Sequence, residues 1–136
     1  MASKRAAVSV VPVRVTILTL DAHFADAFAR ARQRLTAELP GLHLTMHVAA
    51  EYAADATRTA AACADIAAAD IIIAGQLFTE ESAGPVKEAI LARRTSCDAV
   101  CAMLCVNEVV QCTRLGKYSM AEGDRSTSAW SPMNVL

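Results

Sequence analysis

The sequence contains few aromatic residues and no excess of charge of either sign. Phe, Trp and Tyr make up 4% of its 136 residues, and 13 Lys and Arg oppose 14 Asp and Glu, for a net charge of −1. A protein that holds a polyanion through bulk charge needs a basic surface, so nucleic-acid binding is not expected. The 54% of apolar residues, combined with this low net charge, excludes an intrinsically disordered chain.

The chain also lacks an apolar run of the roughly 20 residues that a membrane-spanning helix needs. Near the N-terminus, Ser9 and Pro12 interrupt a short apolar stretch and Arg14 follows, which argues against a secretory signal. We interpret residues 1–12 as a disordered leader and expect a cytoplasmic protein with no membrane span. Its length is that of a single domain with a real core.

No closely spaced pair of cysteines occurs. The five cysteines are odd in number and form no CxxC motif, so neither a disulfide framework nor a zinc ribbon is expected. Cys97, Cys101 and Cys105 recur at every fourth position, as ligands of a soft metal or as small buried hydrophobes. The second interpretation is favoured, because free cysteine is among the most buried residue types. Unpaired thiols fit a reducing cytoplasm.

Alanine is abundant, with 29 residues, and favours helices that pack closely through small side chains. Strand and helix patterns alternate through residues 13–115 in the order β-α-β-α-β-α-β-α. Nearly continuous apolar strands separated by helices are typical of a parallel sheet that helices cover on both faces. We therefore predict an α/β fold of flavodoxin-like or half-Rossmann type, with one four-stranded parallel sheet in the order 2-1-3-4.

The predicted domain covers residues 13–120, and residues 121–136 are predicted to be a polar tail or truncated linker. The strands are predicted at 13–20, 42–48, 70–74 and 97–104, and the helices at 21–39, 53–69, 79–94 and 107–115. Pro85 falls within the third helix, so we expect that helix to begin properly only near Gly84.

Ligands of open α/β sheets bind beyond the carboxyl ends of the strands, and here that edge carries carboxylates, an imidazole and two amides. The candidate ligand-binding residues there are Asp21, His23, Gly75, Gln76, Glu80, Asn107 and Glu108. Asp21 and Glu80 also have a structural interpretation, as a helix cap and as an acid at a helix N-terminus. No glycine-rich loop follows the first strand, so a nucleotide site is not expected.

The sequence predicts neither a metal site nor a catalytic set. His43 and His47 lie four residues apart on a strand, a rise of roughly 13 Å, which is too far for two rings to share an ion. No Ser–His–Asp or Cys–His arrangement can be assembled. Two alternative hypotheses stay open at this point, a free-standing α/β binding module and a small enzyme that uses Asp21, His23 and Glu80.

Several short segments stand out, in order, over about residues 13–120, and the clearest is TRLGKYSM at 113–120. The others are TLDAH at 19–23, ARAR at 29–32, ELPGL at 38–42, ADIIIA at 69–74, LFTEE at 77–81 and EVV at 108–110. Together these segments resemble the N-terminal domain of the large, porphyrin-binding H subunit of magnesium chelatase. The large subunit of cobaltochelatase is a more distant relative of the same kind.

The resemblance implies a part in the insertion of magnesium into protoporphyrin IX, on the route to chlorophyll or bacteriochlorophyll. In that family the H subunit binds the porphyrin, and two partner subunits of the AAA+ type hydrolyse ATP. The implied partners are therefore the remainder of the H subunit, the AAA+ subunits and porphyrin. The resemblance implies a domain that contacts porphyrin or docks the rest of the subunit, with no cofactor and no catalysis of its own.

Overall fold

The computed structural model describes residues 10–120, which form a single mixed sheet with helices. Its strands are β1 (Val13–Thr19), β2 (Leu42–Val48), β3 (Ile71–Gly75), β4 (Ala99–Met103), β5 (Arg114–Leu115) and β6 (Tyr118–Ser119). Its helices are α1 (Ala25–Glu38), α2 (Ala49–Tyr52), α3 (Ala56–Ala68), α4 (Glu80–Arg93) and α5 (Asn107–Val110), and a 3-10 turn over Ala22–Phe24 precedes α1. The predictions for residues 1–9 and 121–136 lie outside the described residues.

The strand order is β2-β1-β3-β4-β5-β6, and the first four strands are mutually parallel. The α/β class and the 2-1-3-4 order of these four strands are thus confirmed. The prediction of a purely parallel, four-stranded sheet is wrong, because β5 and β6 add an antiparallel hairpin at the edge beside β4. Gly116, with a φ of +60°, makes the tight turn of that hairpin, a conformation that side chains disfavour.

The fourth predicted helix is therefore much shorter than expected, since α5 ends at Val110 and residues 114–115 join the sheet. Thr113 holds this path in place. Its hydroxyl accepts a hydrogen bond from the Ala102 amide at 3.1 Å and donates to the Ala102 carbonyl at 3.3 Å, and it is buried. A side chain thus supplies strand-like bonding to β4 where the helix would have continued.

Helix α4 begins at Glu80, so the prediction of a start near Gly84 is wrong. Thr79 and Ser82 form a reciprocal capping box: the Thr79 hydroxyl accepts from the Ser82 amide, and the Ser82 hydroxyl accepts from the Thr79 amide, both at 3.2 Å. These bonds satisfy amides at the helix start and outweigh the missing N–H of Pro85.

We expect Thr79→Ala to lower the free energy of unfolding by about 1 kcal/mol, because the capping box loses its central oxygen. Urea denaturation followed by circular dichroism measures the change. The matched control is Thr57→Ala in the first turn of α3, where the backbone amide rather than the hydroxyl bonds to Asp55. An equal loss in both variants would contradict the assignment of the cap.

The hydrophobic core lies on one face of the sheet. Side chains of the central strands on this face are fully or almost fully buried against α3 and α4, as Leu18, Ile72 and Val100 show. Ala62 of α3 is fully buried in this core, in line with the small core side chains that the alanine content predicts. Tyr52 of α2 joins this core, and its hydroxyl donates to the Ser82 carbonyl at 2.9 Å.

The opposite face is only partly covered. Ile17, Met46 and Ile73 are in register on neighbouring strands of this face, and all three are only half-buried. Of the described helices, α1 alone lies on this side, and none of its residues is buried. Helices thus lie on both faces of the sheet, but α1 covers its face only in part, because the short α5 packs with α4 on the core side.

None of the helices between residues 10 and 120 combines the length and the apolar character that crossing a bilayer would require.

Candidate functional site

An apolar cleft of about 700 Å³ lies between α1 and the open face of the sheet; we call it the α1 cleft. Its sheet side is formed by Ile17, Met46, Ile73 and Met103, its helix side by Phe24, Ala27, Phe28 and Ala31, and its remaining lining by Leu18, Thr19, Gly75, Gln76 and Leu104. Apolar clefts of this size are the usual places for ligands or partner side chains to bind. The cleft is therefore the candidate functional site.

Two sequence periodicities build the cleft. Alternation along the strands puts Ile17 and Ile73 on the open face, while their neighbours Leu18 and Ile72 enter the core. Helical spacing puts Phe24, Phe28 and Ala31 on one side of the α1 region. From the sequence alone, an apolar stripe of this kind is ordinarily assigned to the hydrophobic core.

Large apolar side chains remain exposed where the cleft opens. Phe24 is 54% exposed, Met103 56% and Leu104 64%. A contiguous apolar surface of this kind on a folded domain marks an interaction site, since leaving it in water is unfavourable. The Arg32 guanidinium lies 5.5 Å from the centroid of the Phe28 ring, so the described residues supply one cation beside the cleft.

The backbone is strained at two positions of the cleft. Gln76 has a φ of 65° and Leu104 a φ of 55°, in the left-handed region that residues with side chains rarely adopt. The Gln76 amide donates to the Met103 carbonyl at 3.1 Å, which ties the end of β3 to the end of β4. Such conformations cost about 1–3 kcal/mol each and concentrate at functional sites.

The structure brings two of the seven sequence-predicted site residues, Gly75 and Gln76, into the cleft lining. Asp21 accepts a hydrogen bond from the His23 amide at 3.0 Å and caps the 3-10 turn. The His23 imidazole is 85% exposed, with Nδ1 3.6 Å from Asp21 Oδ1.

The other three predicted residues lie on α4 and α5. Glu80 Oε1 is 2.6 Å from Lys87 Nζ, and this hydrogen bond raises the pKa of Lys87. Asn107 and Glu108 are exposed in the first turn of α5. A ligand role for any of the seven stays a prediction.

Charged side chains elsewhere form small groups: Arg58 lies 3.1 Å from a Glu51 carboxylate oxygen and 3.5 Å from an Asp55 carboxylate oxygen. His47 Nε2 lies 2.7 Å from Asp65 Oδ2, and His43 is exposed. Within residues 10–120, no three His, Cys, Asp or Glu side chains converge as a metal ion would require.

The five cysteines are free thiols, and Cys97 and Cys112 are buried. Burial raises the pKa of the Cys105 and Cys112 thiols, which favours their neutral form. Cys97 and Cys112 belong to the hydrophobic core, and Cys63 and Cys105 pack against it.

Sequence reasoning missed Met46, Met103 and Leu104 as site residues. The apolar stripe on α1 can be recognised in the sequence, because its residues recur at helical spacing. This periodicity identifies the apolar face of the helix but does not tell whether another element covers that face. The uncovered sheet is therefore a finding of the structure alone.

The chain matches known proteins over most of its length. The model of the family described as "Domain of unknown function (DUF3479)" matches residues 14–135. The magnesium-chelatase H subunit of Cereibacter sphaeroides is 41% identical over 122 residues, and that of Rhodobacter capsulatus is 34% identical over 122 residues. Each alignment covers 90% of this chain but 10% of the relative.

A plant relative shows the same relation. The chloroplastic magnesium-chelatase protein ChlH of Oryza sativa is 30% identical over 119 residues, which cover 85% of this chain and 8% of the relative. The chain thus spans about a tenth of the length of the curated relatives that it matches. The resemblance to the N-terminal domain of the magnesium-chelatase H subunit is confirmed, and the chain belongs to the DUF3479 family.

Proposed function

We propose that this domain docks the remainder of a magnesium-chelatase H subunit and has no catalytic role of its own. The observation that carries the proposal is the open apolar face of the sheet at the α1 cleft. The relatives are about ten times longer than the matched region, so most of such a protein is polypeptide that could cover this face. Burial of apolar surface is the main driving force for such contacts.

The absence of catalysis is proposed from the arrangement of the predicted polar residues. Asp21 and His23 bind to one another at the 3-10 turn, while Glu80 pairs with Lys87 on α4. The lining of the α1 cleft contains no titratable side chain that could transfer a proton. In a complete chelatase, magnesium and protoporphyrin IX would be substrates, and ATP would be hydrolysed by AAA+ partner subunits.

Binding in solution tests the docking role. We expect the purified chain to form a saturable complex with a Cereibacter sphaeroides H polypeptide that lacks its own matched region, measured by isothermal titration calorimetry. Met103→Asp should weaken that complex about tenfold or more. A charge at the centre of an apolar contact is expected to cost at least the 1.4 kcal/mol, roughly, to which a tenfold change in affinity corresponds. Met103 is 56% exposed, so this variant should still fold.

The matched control is Leu39→Asp, a charge at a 52% exposed leucine outside the cleft, which should leave the affinity unchanged. Circular dichroism confirms that each variant is folded. A folded wild-type chain that forms no complex would overturn the docking role. Equal weakening by both variants would move the contact away from the α1 cleft.

A second candidate function, contact with porphyrin, is favoured by the size and lining of the same cleft. Its volume of about 700 Å³ and its two phenylalanine rings suit a flat apolar ligand, and Arg32 could pair with a carboxylate of such a ligand. Titration with a soluble protoporphyrin analogue, followed at the Soret band, should then give a saturable shift that Met103→Asp reduces. An unchanged Soret band with folded protein would exclude this role.

We propose a cytoplasmic location, because free thiols with buried or half-buried side chains suit a reducing compartment. Magnesium, and not cobalt, is the metal substrate that we propose for the whole protein, and the names of the relatives support this assignment. Chelatase assays with the AAA+ subunits and either metal ion test it.

A further inference from the structure

The open face of the sheet is covered unevenly from β1 to the hairpin. Val15 and Thr19 of β1 lie on this face, two positions to either side of Ile17, and are only 7% and 6% exposed. Met103 of β4 is 56% exposed and Leu115 of β5 46%. The cover that α1 gives to this face therefore ends near β1, and the strands beyond it are open.

We call the open part of this face over β3, β4 and β5 the β3–β5 strip. Residues directly opposite one another in neighbouring strands project to the same face. The register places Ile71, Ala99 and Leu115 in one row across the strip, and Ile73 and Cys101 in the next. All five are small or apolar, and each is half-buried or exposed. The strip thus continues the apolar surface of the α1 cleft as far as the hairpin.

The β3–β5 strip has the dimensions of one helix. Two strand spacings, from β3 to β5, amount to roughly 10 Å, which is about the diameter of an α-helix with its side chains. Strand β4 has 5 residues, a rise of roughly 16 Å, and three helical turns have about the same length. Parallel strands are normally covered by helices on both faces, and of the described helices α1 alone reaches this face, where it borders the strip.

Two cations lie at the borders of the strip. Arg32 of α1 lies over the ring of Phe28 in the cleft lining, and Lys117 is exposed in the hairpin turn after Leu115. Neither forms an ion pair with a carboxylate within residues 10–120. Two positive charges beside an apolar surface favour a partner that carries acids on either side of an apolar stripe.

We propose that an amphipathic helix of the remainder of the H polypeptide lies along the β3–β5 strip beside α1, with acidic residues that face Arg32 and Lys117. This inference rests on the proposed docking function and adds the kind of element that docks. The relatives are about ten times longer than the matched region, so they have polypeptide to supply such a helix. A helix satisfies its own backbone hydrogen bonds and can cover a sheet face, whereas a strand added to β6 would leave the strip open.

Cys101 on the strip reports directly on its cover, since it is a half-buried free thiol opposite Ile73. The probe is the Cereibacter sphaeroides H polypeptide that lacks its own matched region. In its presence we expect alkylation of Cys101 by iodoacetamide, followed by mass spectrometry, to slow roughly tenfold or more, because a thiol reacts only where it is accessible. Cys63 packs against the core and should react at the same rate with and without the probe.

Substitutions test the apolar surface and the charges of the strip separately. Leu115→Asp lies outside the α1 cleft and should weaken the complex about tenfold or more in isothermal titration calorimetry. Arg32→Glu should weaken it about threefold or more, with less dependence on salt. The matched controls are Leu39→Asp and Arg14→Glu, at exposed positions outside the strip, and both should bind as the wild type does.

Hydrogen exchange of the H polypeptide in the complex identifies the segment that becomes protected. We expect apolar residues three and four positions apart in that segment, with acids beside them, and a segment that alternates with a period of two would overturn the inference. A complex in which Cys101 stays reactive and Leu115→Asp binds normally would reject this inference alone, whereas no complex at all would reject the docking function. Slow alkylation of Cys101 in the free folded chain would also overturn the inference, because the chain itself or a second copy would then cover the strip.

Discussion

Ile72→Asp is expected to prevent the domain from folding. Ile72 is fully buried at the centre of β3, where it packs in the core between the sheet and the helices. Loss of the buried side chain costs about 2–5 kcal/mol, and an unpaired carboxylate in the core adds several kcal/mol more. Domains have only about 5–15 kcal/mol of stability in total. Circular dichroism and gel filtration should therefore show an unfolded or aggregated chain.

The neighbouring substitution Ile73→Asp is the control, because it differs by one position and points to the opposite face. Ile73 lies in the α1 cleft and is only half-buried, so a carboxylate there keeps much of its water. We expect a folded chain that is destabilised by about 1–2 kcal/mol. If both variants unfolded alike, the two faces would be equally buried, contrary to the description of the open face.

The second large effect is expected at Tyr52, the largest fully buried side chain among residues 10–120. Tyr52→Ala removes an aromatic ring from the core and should lower the free energy of unfolding by about 3–5 kcal/mol. Tyr52→Phe keeps the ring and removes only the bond to the Ser82 carbonyl, for an expected loss of about 1–1.5 kcal/mol. Urea denaturation of the two variants separates the contributions, and equal losses would contradict this division.

The same side chain makes stability depend on alkaline pH. Burial, and to a smaller extent the charges of Cys63 and Cys105, raises the pKa of Tyr52 well above its ordinary value of 10. The unfolded chain then ionises first as the pH rises through about 10, so stability is present below that pH and is lost above it. Tyr52→Phe should flatten this loss between about pH 10 and 12, whereas a wild-type slope in the variant would refute the assignment.

Short sequence patterns correctly predicted the features that neighbouring residues determine, such as helix ends and apolar strands. The sequence Pro40-Gly41 ends α1 as expected, and Gly41 has a φ of +95°, which a side chain would make unfavourable. A Cβ added there would lie 2.5 Å from Val10 Cγ1. Apolar β-branched runs likewise predicted β1 and β3, and the alternation of elements predicted the order of the parallel strands.

The errors arose where tertiary contacts override local pattern. Residues 114–115 looked like the end of a helix, yet pairing with β4 and the bonds of Thr113 make them a strand. The capping box of Thr79 and Ser82 started α4 a full turn before the proline suggested. In the candidate site, Gly75 and Gln76 were predicted from strand ends alone, but the cleft depends on where α1 sits against the sheet.

The unequal covering of the two sheet faces has a consequence for the motions of the domain. Because α1 buries no side chain, little apolar area is exposed when it detaches. Its amides should therefore exchange with deuterated solvent through local opening, at a lower free energy than those of α3 and α4, which exchange only as the core unfolds. The domain would thus contain two units of different cooperativity, and a partner that closes the cleft would slow exchange in α1 first.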